Sequence, residues 1–471
     1  MKPNLVFILA DALRPDFISA YNYRNLSTPN MDRIAEEGIL FDKAYATTNT
    51  TDPSLTSILS GKFPKSHGIR NHGEKVTEQE VRFFNRSDTM LLSEILKRLG
   101  YDTAAVDWLK RWHKKGFDCY GGTKGKEFDS AADLGKKAIE LLPGKIENFL
   151  KSFYSGLDFT GREDARSVTN SGINLVDKEC EEPFFLFLHY WDTHTPYSPP
   201  EGYVERNIDL DDFENRKLEN VFASINNPDW RENLQGFTEG LNNTEEVIRR
   251  YAGAVKFMDD EIARLLDFLE GEGFLDDTMI ILTSDHGESL TEHGIYFDHH
   301  GLYEQTIRVP LLMKFPTFFE PSEVDAFVQH IDIVPTILDI LDIDFDNFDG
   351  KSLLPILKNG SSLHESIFVE EGYTQEKKAI RTERYKYILS ESEEKGTCRY
   401  CGRIHGDLEE LYDLKRDPGE EKNVVEKNRD LAEELRREIM QKFEQLSENK
   451  KKKEKDFLKG KIEGLKRGGK I

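Results

Sequence analysis

Four short apolar runs, each closing on a polar or ionisable residue, constrain this chain more than any other feature. Residues 5–10 close on Asp11, 103–106 on Asp107, 184–188 on His189, and 279–283 on Ser284 and Asp285. The runs are rich in β-formers and have no polar alternation, so they read as strands buried on both faces, and the segments between them carry helical periodicity. That alternation predicts an α/β fold, a large and mostly parallel sheet flanked by helices. In such sheets ligands bind beyond the carboxyl ends of the strands, where these ionisable residues gather.

Residues 89–100 read as an amphipathic helix stopped by Gly100. Residues 245–271 read as a longer one, with Val247, Tyr251, Val255, Met258, Ile262, Leu265 and Leu269 on one stripe. Residues 121–170 fit no regular element and read as a helical insertion at the site entrance. The pattern changes near residue 371 to a strand pair, 379–387 and 410–413, followed by a polar helix from 428 to about 447. The expected organisation is a catalytic domain over 1–370, a small α+β domain over 371–449 and a flexible basic tail over 450–471. That tail has ten Lys and Arg against three acids.

The 471 residues carry a formal charge of −23, which disfavours a general grip on nucleic acid or anionic lipid. The N-terminal apolar run is too short for a signal sequence or a membrane span. Four unevenly spaced cysteines make no disulfide framework. Together these features suit a cytoplasmic protein with a small polar partner, and they leave the oligomeric state open. Cys398, Cys401 and His405 offer three of the four ligands of a structural zinc, but no fourth stands nearby in sequence, so a hairpin tip is the plainer expectation.

Asp11, Asp285 and His286, all at strand ends, can converge on one divalent cation. The imidazole favours Mn or Zn, while the carboxylates keep Mg or Ca open. Thr51 precedes Asp52-Pro53-Ser54 and a helical run ended by Gly61, which puts it at a helix N-terminus. There the helix dipole and a neighbouring metal, with Thr51 itself as a ligand, would favour its alkoxide, making Thr51 a candidate nucleophile. The same spacing also fits a plain helix N-cap.

These segments resemble the sulfatase family of the alkaline phosphatase superfamily, nearly from end to end. The resemblance runs through Asp11, Pro53-Ser54 with Ser60-Gly61, Gly116-Phe117-Asp118, Asp285-His286-Gly287-Glu288, Arg308-Val309-Pro310 and Glu410-Leu411-Tyr412-Asp413. It implies an alkaline-phosphatase-like sandwich and a metal-dependent hydrolase of sulfate or phosphate esters, acting on a small molecule or a glycan. It further implies that His194, with Asp192 beside it, contacts the anion, that Arg111 or His113 clamps the oxyanion, and that His299 or His300 is the general acid. A second metal, if bound, would take Asp192 and His194 with His299 or His300.

Three departures stand out. Thr51 occupies the position of the cysteine that becomes formylglycine, Leu55 replaces the arginine of the C-x-P-S-R motif, and Ala12 replaces the second aspartate of the first strand. A formylglycine hydrate expels sulfate by collapsing to the aldehyde; a threonine cannot. The departures therefore lean toward phosphoryl chemistry, or toward direct attack of a metal-bound hydroxide on a sulfate ester. A phosphoryl-group transferase or phosphodiesterase, and a non-catalytic binder of anionic glycans, are the alternatives.

Overall fold

The computed structural model describes residues 2–21, 24–121, 163–360 and 362–467, with side-chain surroundings as far as Lys450. The insertion expected over 121–170 therefore lies largely outside the described residues.

The four apolar runs become β1 (Asn4–Ala10), β3 (Asp102–Val106), β5 (Phe184–Tyr190) and β6 (Thr278–Ser284). Four further strands complete an eight-stranded sheet: β2 (Ile39–Tyr45), β4 (Cys119–Tyr120), β7 (Leu311–Lys314) and β8 (Ser322–Gln329). The order is β4-β3-β5-β1-β6-β7-β2-β8. Only β7 runs against the others.

The central strands lack alternation because both faces are covered. Val6, Ile8 and Ala10 pack into one core with Val247, Tyr251, Val255 and Met258 of the helix Thr244–Gly271. Leu5, Phe7 and Leu9 pack into another with Leu55, Ile58 and Leu59 of the helix Thr51–Ser60. The expected architecture, helices on both faces of a mostly parallel sheet, is the one observed.

A second, antiparallel sheet of order β12-β11-β10-β9 is built from β9 (Ser366–Glu371), β10 (Lys377–Thr382), β11 (Tyr385–Leu389) and β12 (Glu409–Asp413). It starts at Ser366, ahead of the boundary expected at 371. Its outer face is covered by Leu435, Ile439 and Phe443 of the helix Arg429–Arg467. That helix runs without a break into the basic segment. No described helix is long and apolar enough to cross a membrane.

Candidate active site

Parallel pairing in register puts Ala10, the last residue of β1, beside Ser284, the last of β6. The next residues, Asp11 and Asp285, are therefore neighbours at the carboxyl edge of the sheet, and His286 follows. All three are fully buried, and one ligand atom of each lies within 4.8 Å of the others. Asp11 Oδ1 and Asp285 Oδ2 accept no hydrogen bond. Two adjacent buried carboxylates without a cation are costly, so the donor set fits a divalent metal. Burial, and then the charge of Asp11, push Asp285 up to about 7. Burial opposes ionisation of Asp11 too, but His194, His189 and His286 hold it well below the usual carboxylate range. His286 Nδ1 lies 2.9 Å from Gly287 O, which places the proton on Nδ1 and leaves Nε2 for a metal.

Gly287 is needed for this corner. A Cβ there would sit 2.0 Å from Gln305 O, and its N–H donates to Thr306 O at 3.0 Å. Gly287→Ala is expected to lower stability by about 1–3 kcal/mol, read as a lower denaturant midpoint.

Thr51 is the first residue of its helix, and Thr50 is the N-cap, with no side-chain capping bond. The plain N-cap reading of Thr51 is therefore set aside. Its Oγ1 lies 3.5 Å from Asp11 Oδ2 and 3.4 Å from His286 Nε2, with Thr51 fully buried. Ser54, one turn on, donates to Asp285 O at 2.6 Å and ties the helix to the end of β6. Leu55 lies in the core, where an arginine has no place. Ala12 takes a left-handed φ of 59° and donates its N–H to Asp285 Oδ1 at 3.1 Å.

The histidines divide. His299 stacks on His286 at 4.1 Å between ring centroids, with Nδ1 2.5 Å from Asn49 O. His194 lies 6.0 Å from His299, ring to ring, with its own Nδ1 2.7 Å from Thr195 O. His300, expected beside them as a general acid or metal ligand, faces the other way and meets His405, Nε2 to Nε2, at 2.9 Å. Consecutive residues of an extended loop point to opposite sides, so only one of the pair can reach the site.

Three other expectations are corrected. Asp192 turns to the helix Ala165–Glu179 and accepts the N–H of Ala165 at 3.1 Å. It does not join His194 and His299 in a second metal set among the described residues. Arg111 grips both oxygens of Asp52 at 2.9 and 2.7 Å, so its guanidinium is committed to a carboxylate and not to an ester. His113 is buried with Nε2 3.3 Å from Thr56 Oγ1, beneath the helix and not facing a substrate. For Arg111 the cause is Asp52, next to Thr51, which is fully buried and draws in the guanidinium; His113 is held neutral by its burial, which pushes it down to about 4.

Sequence reasoning also missed residues. His189, noted only as a strand end, lies 3.4 Å from Asp11 Oδ2 and 2.7 Å from Asp107 Oδ1. Burial lowers its basicity, but the hydrogen bond to Asp107 and the nearby charge of Asp11 win and raise the imidazole to about 9. Its position at the end of a buried apolar run was the available signal. His72, 3.0 Å from Asp52 Oδ2, carried no comparable sign.

The family model described as Sulfatase matches residues 3–343, and the one described as N-sulphoglucosamine sulphohydrolase, C-terminal, matches 291–449. The N-acetylglucosamine-6-O-sulfatase of Bacteroides thetaiotaomicron is 25% identical over 515 residues, covering 90% of this chain and 83% of its own. The arylsulfatase of Clostridium perfringens is 26% identical over 460 residues, covering 90% of each. In fold, the phosphonate monoester hydrolase of Agrobacterium radiobacter superposes with a TM-score of 0.67 at 20% identity, covering 95% of this chain and 96% of that one. The match of the first family model across most of the chain, on a sheet whose strand ends carry Asp11, Asp285 and His286, settles its membership. The chain belongs to the sulfatase family and is an ester hydrolase of the alkaline phosphatase superfamily.

Proposed function

We propose that this chain hydrolyses a phosphate or sulfate ester of a sugar, with Thr51 as nucleophile and one divalent metal held by Asp11, Asp285 and His286. The observation that carries the reading is the Thr51 hydroxyl, buried at the first residue of a helix and within 3.5 Å of both Asp11 and His286. When bound, the metal would lower the hydroxyl pKa and draw charge from the ester oxygens. Thr51 Oγ forms a bond to phosphorus or sulfur as the bond to the leaving alcohol oxygen breaks. The helix N-terminus favours the negative charge that develops there. His299, with Nδ1 held by the Asn49 carbonyl and its imidazole kept neutral by burial, takes the Thr51 hydroxyl proton at Nε2 and passes it to the departing alcohol oxygen, and His194 contacts the anion. Water then attacks the threonyl ester, releasing the inorganic anion and restoring Thr51.

Phosphorus is favoured over sulfur. A threonyl phosphate is cleared by in-line attack of water, whereas a threonyl sulfate lacks the aldehyde-forming collapse open to a formylglycine hydrate. A sugar ester is supported by the relative named for N-acetylglucosamine 6-O-sulfate. The retained, buried ligand set argues against a non-catalytic binder.

Matched 4-nitrophenyl phosphate, sulfate and phosphodiester substrates test the reading, each with and without chelation. The phosphate monoester is expected to turn over fastest, and chelation is expected to stop all turnover until a divalent metal is restored. Sulfate turnover faster by orders of magnitude would overturn the phosphoryl preference, and full activity after chelation would overturn the metal.

A further inference from the structure

Outside the active site, a second cluster of metal-ligating side chains lies between the two sheets. His300, Cys398, Cys401 and His405 are all buried, and one ligand atom of each lies within 4.8 Å of the others. Three come from the segment joining β11 to β12, and the fourth from the loop that follows β6. We propose that these four side chains form a closed tetrahedral zinc site that fastens the loop carrying His299 to the C-terminal domain.

The contacts are those of ligands converging on one point. His405 Nε2 lies 2.8 Å from Cys401 Sγ and 2.9 Å from His300 Nε2. In a tetrahedral Cys2His2 zinc site the ligand atoms are about 3.3–3.8 Å apart, so little movement admits the ion. Two imidazole Nε2 atoms aimed at each other and at two sulfurs have one good common partner, a soft cation. Two thiolates neutralise a divalent ion in a buried place, and thiolate ligation selects zinc over calcium or magnesium. Four protein ligands leave no open position, which makes the site structural and not catalytic.

The surrounding geometry is that of a prepared site. Cys398 N donates to Arg403 O at 2.8 Å and Gly402 N to Cys398 O at 2.9 Å, while Thr397 and Ile404 form an antiparallel bridge. Gly402, at a φ of 68°, closes this tight turn, which brings both sulfurs to one side. Asp298 Oδ2 lies 3.2 Å from His300 Nδ1, not aligned as a hydrogen bond but on the side of the ring away from Nε2, where its charge supports the imidazole. Lys377 Nζ holds the carbonyl of His405 at 2.6 Å.

The site has two connections to the active centre. His299, the neighbour of His300, is stacked on the ligand His286. At the tip of the turn, Tyr400 meets Tyr373, hydroxyl to hydroxyl, at 2.9 Å, and the ring of Tyr373 stands against His72, 5.5 Å between centroids. The zinc turn thus braces the wall beside Asp52 as well as the loop of His299.

The test is metal analysis of the full-length protein purified under reducing conditions, alongside Asp285→Asn and the double variant Cys398→Ser, Cys401→Ser. Asp285→Asn, which disables the active-site ligand set, is expected to keep one equivalent of zinc per chain, and the double variant to hold one equivalent less than the wild type. Cobalt-loaded wild type is expected to show a thiolate-to-cobalt charge-transfer band and the intense visible bands of a tetrahedral ion. That measurement stands even if the double variant fails to fold. Absence of the charge-transfer band, a double variant holding as much zinc as the wild type, or a Cys398–Cys401 disulfide in the native protein would each overturn the proposal.

Discussion

Thr51→Ala is expected to lower kcat on the best nitrophenyl ester by about 10⁴-fold or more, the scale on which removal of a covalent nucleophile acts. Thr51→Ser keeps the hydroxyl and is expected to retain activity within about tenfold, the equivalent of roughly 1.4 kcal/mol in the barrier. The fold should tolerate both changes, because Thr50 and not Thr51 is the N-cap, so the substitution at Thr51 removes no capping bond. Rapid quenching of the wild type with its ester substrate, followed by peptide mass spectrometry, should find the added phosphoryl or sulfuryl group on the peptide bearing Thr51. An alanine variant with near-normal turnover would remove Thr51 from the chemistry altogether.

Lys386→Met is expected to destabilise the protein by about 3 kcal/mol, because it leaves the fully buried Glu420 without its cation and the part-buried Glu304 with Arg381 alone, 3.6 Å away. Lys386 is fully buried, and its Nζ lies 2.8 Å from Glu304 Oε1 and 2.7 Å from Glu420 Oε1. Glu304 begins a short helical turn immediately after the loop that carries His299 and His300, whereas Lys386 lies on β11. The ion pair therefore joins the loop of His299 to the second sheet. Denaturant unfolding followed by fluorescence should show a markedly lower midpoint. Replacing Glu304 and Glu420 by Gln in the same chain is expected to recover part of the loss, since the uncompensated charges are then gone. A Lys386→Met variant with an unchanged midpoint would show that the triad contributes nothing net.

The central half of the fold was legible because β1, β3, β5 and β6 are sandwiched between two helical layers and read as unbroken apolar runs. β8 was not legible: Ser322, Glu323 and Asp325 are exposed at the sheet edge and break its pattern. β2 carries Asp42 and Lys43 at an irregularity in its pairing with β8, and β7 has only four residues. In the site, Asp11, Asp285, His286 and Thr51 were readable because each closes or opens a regular element. Arg111 and His300 were misplaced for a different reason. Their partners, Asp52 and the Cys398 turn, are distant in sequence, and no local pattern reveals which of two neighbouring basic side chains will be claimed by a remote carboxylate or thiol.

The position of β1 in the sheet has a consequence for biosynthesis. Of the described strands, the first to be synthesised lies in the middle of the sheet, and its two hydrogen-bonding edges belong to β5 and β6. The β5 edge of this almost wholly apolar strand stays without its partner until Tyr190 has been added, and the β6 edge until Ser284 has. At about 5–20 residues per second that is an interval of roughly 15–60 seconds. The β6 edge of residues 4–10 is open to non-native pairing during that time, and Asp11 cannot meet Asp285 and His286 before well over half of the 471 residues have been joined.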